Sequence, residues 1–191
     1  ARLAKLIRNL TTDIHYISKT SFRSRALDHE YNVGMCINSL RKLTPTFVYT
    51  YGITSSKPKR LIIEYIRGRT VWALIMSGNM SFDQWYVAFI QLICGLEIAQ
   101  ARLHFTHNDL HTNNVIIRHS DAPITYSTHV LNKTYTFAAC NVPTILDFGL
   151  SRVDCAGNEH GIRESDYDAK ISRSMTTGFD MFKFWSSSVD A

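Results

Sequence analysis

Cysteine, proline and glycine are sparse in this chain of 191 residues, at four, four and nine copies. Cys36, Cys94, Cys140 and Cys155 lie far apart and form no C-x-x-C pair. That spacing argues against a disulfide framework, and predicts reduced thiols packed as small hydrophobes in an intracellular, non-secreted protein. The first glycine is Gly34, so no glycine-rich loop precedes it. No run of 18 apolar residues occurs, and the densest stretch, Trp85 to Leu96, is broken by Gln91 and Gly95. A membrane span is therefore not expected. No uninterrupted apolar segment follows the basic N-terminal residues, which argues against a secretory signal. Internal repeats and low-complexity segments are absent as well.

What is present is an ordinary globular composition, 45% hydrophobic and 19% charged, long enough for one substantial core or two small lobes sharing a site. The net charge of +5 is concentrated at the start: Arg2, Lys5, Arg8, Lys19, Arg23 and Arg25 face the single acid Asp13. The first ten residues read as the solvated face of a helix, with a transit peptide or a membrane-surface helix as the rival readings. Without interleaved aromatics or a recognition motif, the basic segment does not make the chain a nucleic-acid binder.

Patterning along the chain predicts a mixture of strands and helices. Asp13–Lys19 is rich in β-branched and aromatic residues and reads as a strand. Apolar positions at Leu27, Tyr31, Gly34, Met35, Ile37 and Leu40 predict a helix from Ala26 to Lys42, ended by Thr44-Pro45. Strands Thr46–Tyr51 and Arg60–Ile66 follow, joined by the polar loop Ser55–Lys59. Ser81 and Gln84 form a capping box for a long interior helix carrying Phe82, Trp85, Phe89, Ile90, Leu92, Ile93 and Leu96. Beyond it come short strands at Val115–Arg118, Thr125–Val130, Thr134–Phe137 and Val142–Leu146, with a tight turn at Asn132-Lys133. Residues 150–177 are polar and irregular, and a last helix begins near Gly178. The pattern is α+β.

Two short stretches carry the chemistry. His107-Asn108-Asp109-Leu110-His111-Thr112-Asn113-Asn114 fits H-x-D-L-x-x-x-N, and Asp147-Phe148-Gly149 is an intact D-F-G. Either alone has a bland explanation: Asp109 as a cap, Asp147 as a turn residue after a strand. Neither explanation accounts for both motifs in this order with Asn114 between them.

Together they resemble the signature set of the protein kinases. The resemblance implies a two-lobed fold lacking the Gly-rich loop strands and the C-terminal helices. Residues 1–66 would form a partial small lobe and 67–191 a partial large lobe. It implies ATP and Mg²⁺ as cofactors and a protein substrate. Asp109 would be the base for the acceptor hydroxyl, with Asn114 and Asp147 as Mg²⁺ ligands. His107 would pack beneath the catalytic loop, and Gly149 would let the backbone turn sharply behind Asp147. Phe148 completes the D-F-G. Ile63 falls at the gatekeeper position, and Glu64, Tyr65 and Ile66 would offer backbone groups to adenine. Glu30 falls where the first large helix places its ion-pairing Glu. The phosphate-holding lysine is Lys19 in one register, whereas sliding by three puts Tyr16 there. Asp180 matches the buried Asp that holds the catalytic-loop backbone, with an N-cap as its bland alternative.

From residue 26 to 185 the chain is similar to the haspin-like branch and its relatives in large DNA viruses. The D-L-H loop, the hairpin-like insertion Ile124–Phe137 and the lack of an A-P-E motif carry that similarity. The missing Gly-rich loop and the few residues beyond Asp180 read as a fragment or a degenerate copy. The leading expectation is a Ser/Thr protein kinase. A pseudokinase acting as an interaction module and a small-molecule kinase of the aminoglycoside or choline type are its rivals. Zinc held by His104, His107 and His111 near Cys140 fits no usual ligand spacing.

Asn108 stands where such kinases carry the arginine that grips a phosphorylated activation loop. Phosphotransfer by this chain is therefore expected to be independent of phosphorylation after Asp147. Phosphatase-treated protein should turn over at the untreated rate, and abolished turnover would refute this reading.

Overall fold

The structure is a computed structural model that describes residues 2–9, 11, 13–21, 24–130, 133–155, 157–161 and 178–189. Its first layer is a four-stranded antiparallel sheet of β1 (Arg2–Arg8), β2 (His15–Ser21), β3 (Thr50–Ile53) and β4 (Arg60–Glu64), in the order β1-β2-β4-β3. The expectation of a helix in the first ten residues is corrected here. Leu3, Leu6 and Ile7 have helical spacing, but the segment pairs along its whole length with β2, from Arg2–Ser21 to Arg8–His15. The unpaired edge of β2 offers backbone partners that outweigh a weak local preference. Fifteen residues then form α1 (Ser24–Asn38), continued by a tight turn over Ser39–Lys42. Its inward face is Leu27, Val33 and Ile37, with Leu40 buried in the turn, while Met35 points outward.

The second sheet holds β5 (Gly68–Thr70), β6 (Val115–Val130) and β7 (Lys133–Ile145) in that order. Neither β5 nor the short α2 (Val71–Met76) that follows was anticipated from the sequence. The four short strands expected between 115 and 146 are instead two long ones. The irregularity between His119 and Ile124 is absorbed as a register shift within a continuous ladder. Asn132 of the expected turn lies outside the described residues. Tyr126 of β6 donates its hydroxyl to Gln91 Oε1 at 2.8 Å, which ties the hairpin to a helix.

That helix is α3 (Phe82–Leu103), and both halves of its capping box are present. Its C-terminal half is interior: Leu92, Cys94, Leu96, Ala99 and Leu103 are buried. Its first turns lie at the surface, with Phe82 73% exposed, so the broad buried face expected there is confined to the second half. By length and composition α3 would also suffice to cross a membrane, although half of its most apolar stretch is buried inside the protein. Gly95 is where this helix approaches the loop before β3. A Cβ there would lie 2.7 Å from the Thr46 side chain, which is itself fully buried. Beyond the second sheet, a small hairpin of β8 (Val153–Cys155) and β9 (Asn158–His160) occupies part of the stretch expected to be irregular. The rest of that stretch, 162–177, lies outside the described residues. The chain closes with α4 (Phe179–Val189).

Among the described residues, Phe47 and Glu64 both tie the two sheets together. Phe47 bridges Ile145 in parallel, with Val48 N–H donating to Ile145 O at 3.0 Å and Ile145 N–H to Thr46 O at 2.7 Å. Glu64 stands at the end of β4. Its carboxylate accepts from Arg118 of β6 at 2.6 and 3.1 Å, and from Arg41 after α1 at 3.0 and 3.1 Å. Burial by itself would raise this carboxyl, but Arg118 and Arg41 outweigh it and bring its pKa down to about 2.

Two tests follow from the packing. Gly95→Ala should cost roughly 1–3 kcal/mol in urea unfolding. Gly52→Ala, whose Cβ would meet nothing within 4 Å, should change stability by less than that. Equal effects would show that the helix can shift freely. The second test concerns pH. Because the folded-state pKa of Glu64 is depressed, the unfolded chain takes up the proton first as pH falls. Its contribution is complete above the ordinary value near 4.5 and is lost as pH falls towards about 2. Wild type should exceed Glu64→Gln by on the order of 2 kcal/mol near neutrality. That gap should close across this acid window, and a gap constant to pH 2 would dissolve the ion-pair account.

Candidate phosphotransfer site

Asp180, in the first turn of α4, organises the loop that carries His107, Asp109 and Asn114. It is 1% exposed, and its two carboxylate oxygens accept the backbone N–H groups of His107 (2.7 Å) and Asn108 (2.9 Å). Burial pushes its pKa up, opposed by His107, these two N–H groups and Lys183. His107 has no exposed surface. Its Nε2 lies 2.8 Å from Leu146 O, and its Nδ1 accepts Asp109 N–H at 3.3 Å. Burial pushes its pKa down, so the ring is held neutral, with the Nε2 proton directed at the Leu146 carbonyl. It is placed beneath the loop as expected, out of reach of anything bound in front of it.

Asp109 is one-third exposed at the loop's front. Asn114 closes the following turn: its Nδ2 donates to Asp109 O at 2.9 Å, and its own carbonyl accepts Leu146 N–H at 2.9 Å. With the amide nitrogen spent, the amide oxygen is the group Asn114 can offer to a cation. His111 folds back over the same turn, its Nδ1 accepting Asn113 N–H at 3.2 Å and its Nε2 lying 3.8 Å from Asp109 Oδ2.

Asp147 enters from the end of β7. The sharp turn there is made by Asp147 itself, which has φ +60° and ψ +76°, and not by Gly149 as expected. Aspartate tolerates the left-handed region better than most residues, and its Oδ1 accepts Gly149 N–H at 3.3 Å. Asn108 is also left-handed, at φ +64°. Its side chain donates to Leu150 O at 3.0 Å, tying the loop directly to the segment after Asp147. Phe148 is buried edge-on against Phe105 and His107. His29 of α1 contacts Ser151 O at 2.9 Å, so α1 is seated on this segment.

From the first sheet, Lys19 places its ammonium 2.5 Å from Glu30 Oε1 and 3.3 Å from Asp147 Oδ1. This is the register in which Lys19, and not Tyr16, reaches Glu30. Both partners are nearly buried, so breaking the pair strands a charge in the interior. Ile63 is buried on β4, Ile66 is buried just beyond it, and Tyr65 is 40% exposed. The Glu64 amide N–H is committed to Tyr49 O at 2.8 Å, and its side chain to the two arginines. The Glu64 carbonyl and the backbone of Tyr65 and Ile66 are the groups left at the end of β4 for the adenine-facing expectation.

Among the described residues, no three His, Cys, Asp or Glu side chains converge as a metal cage. His104 caps α3 beside Asp154 and His107 is sealed in the core, so the histidines considered for zinc point to different surroundings. Sequence reasoning missed Lys183 of α4, whose Nζ lies 2.6 Å from Asp109 Oδ1 and 3.1 Å from Asn108 O. Its spacing three residues after Asp180 is the one signal that could have marked it.

Comparisons with known proteins bear on the family and the fold. The family model for poxvirus serine/threonine protein kinases matches residues 69–183. The probable kinase 098L of Invertebrate iridescent virus 3 is 34% identical over 157 residues, covering 81% of this chain and 29% of that protein. The uncharacterized protein 179R of Invertebrate iridescent virus 6 is 30% identical over 132 residues, 62% of this chain and 11% of that one. The chain thus spans under a third of either relative. Among solved structures, the Rad53 kinase domain with SCD2 superposes with a TM-score of 0.57 at 18% identity, over 78% of this chain and 47% of that one. This likeness establishes a protein-kinase-like fold. With the family model matching more than half of its length, the chain belongs to the poxvirus serine/threonine protein kinase family.

Proposed function

We propose that this chain transfers the γ-phosphoryl group of ATP to a serine or threonine hydroxyl of a protein. The observation that carries the reading is the convergence of Lys19, Glu30 and Asp147 from three separate elements, with Asp109 and Asn114 on the neighbouring loop. A pseudokinase would not need that set of charges brought together at the cost of burying Lys19 and Glu30.

The donor set suits Mg²⁺. Asp147 presents a one-third-exposed carboxylate and Asn114 an amide oxygen, and Mg²⁺ typically takes one or two protein oxygens and completes its shell with phosphates and water. When bound, the ion neutralises charge on the phosphates. Lys19, oriented by Glu30, would face phosphate oxygens. Asp109 would accept a hydrogen bond from the acceptor hydroxyl and take its proton as the new P–O bond forms and the bond from the γ-phosphorus to the bridging oxygen breaks, leaving ADP. The carbonyl of Glu64 and the backbone of Tyr65 and Ile66 would offer groups to the adenine. Residues 1–66 and 67–191 would act as the two lobes around it. The D-L-H loop supports a place near the haspin-like branch.

The test is transfer from labelled Mg-ATP to the chain itself and to generic protein substrates. Asp109→Asn should lower the rate by about a hundredfold or more. Asp147→Asn should remove the dependence on added Mg²⁺ along with most of the activity. An unchanged rate in Asp109→Asn would remove the base assignment. No transfer by a demonstrably folded wild type would leave a nucleotide-binding or interaction module.

A further inference from the structure

We propose that Lys183 is the positioning residue of the catalytic loop, holding Asp109 in its working orientation and supplying the positive charge beside it. The inference rests on the phosphotransferase reading and names a residue that reading does not use.

Asp180 and Lys183 are three residues apart on α4, a spacing that puts both on one helical face. Together they grip three consecutive loop residues. Asp180 takes the N–H groups of His107 and Asn108, and Lys183 takes Asn108 O and Asp109 Oδ1. One face of one helix thereby fixes both the path of the loop and the direction of the Asp109 carboxylate. Two of the three N–H donors of the ammonium are used in this way.

The charge argument is independent of the geometric one. Asp109 must lie close to a phosphoryl group whose oxygens carry negative charge, and an uncompensated carboxylate would repel it. The loop residue two positions on is His111, whose ring is engaged by its own turn. Its Nδ1 is an acceptor for Asn113 N–H, and its Nε2 stands 3.8 Å from Asp109 Oδ2. Lys183, at 2.6 Å, is the nearer partner, and it arrives from 74 residues further along the chain.

The experiment uses wild type, Lys183→Gln, Lys183→Arg, Asp109→Asn and the double variant Asp109→Asn/Lys183→Gln, each checked for folding by circular dichroism. Glutamine can still donate to Asn108 O but carries no charge. Lys183→Gln should lower kcat by roughly tenfold or more while the KM for ATP moves by less than about threefold, and Lys183→Arg should recover part of the loss. Adding Lys183→Gln to Asp109→Asn should cost little more, since the group being positioned is already gone. An unchanged kcat in Lys183→Gln, or a change confined to KM, would overturn the proposal. If wild type transfers no phosphate, the phosphotransferase reading falls by itself. Thermal unfolding of wild type, Lys183→Gln, Asp109→Asn and the double variant then decides the pairing. Non-additive shifts support it, and strictly additive shifts overturn it.

Discussion

The site hangs on one buried carboxylate. Asp180 lies in an interior that penalises its charge, and it is retained there because two backbone N–H groups of the catalytic loop have no better partner. The exchange is mutual: removing the carboxylate would orphan both N–H groups, and removing the loop would strand a buried charge. The neutral His107 ring beneath adds a second anchor to Leu146, the residue preceding Asp147. Loop and D-F-G segment are therefore registered against each other through a dry core and not through solvent-exposed ion pairs. Asp109 and Asn114 can remain partly exposed because the loop backbone behind them is tied to Asp180 and to Leu146.

Two left-handed residues mark where this arrangement departs from relaxed backbone. Asn108 and Asp147 both have positive φ; Asn108 is held by its side-chain hydrogen bond to Leu150 O, and Asp147 by accepting Gly149 N–H two residues on. Strain of this kind persists only where surrounding contacts over-determine it, and it concentrates where side chains must be aimed. At the other end of the site, Glu64 joins the sheets through Arg41 and Arg118. Lys19 and Glu30 on one side, and Asp147 on the other, meet across a joint set by that cluster and by the Phe47–Ile145 bridge.

Much of the local structure was legible. The capping box at Ser81 and Gln84, the helix carrying Glu30, and the order of the two motifs are settled by residues within a few positions of one another. The misreadings share a cause. The first ten residues carry helical spacing but find an open strand edge, so pairing with a distant segment overrides a preference worth little per residue. The hairpin was read as four strands because the interruption near residue 121 looks like a stop, whereas a register shift lets the ladder continue. Phe82 reads as core by hydrophobicity, yet it sits at the surface end of α3.

The sequence by itself determined the chemistry on offer: an aspartate and asparagine five positions apart in one loop, a D-F-G, and a lysine and glutamate in neighbouring elements. These are short-range patterns, and a loop or a helix turn reads them directly. Only the tertiary structure decided which lysine registers meet which acids. It paired Lys19 with Glu30 and Asp147, placed the turn on Asp147 in place of Gly149, and brought Lys183 to Asp109. The contacts of Lys19 with Asp147 and of Lys183 with Asp109 join residues far apart in the chain. Their formation depends on how sheets and helices bury their apolar faces together, which no local spacing encodes.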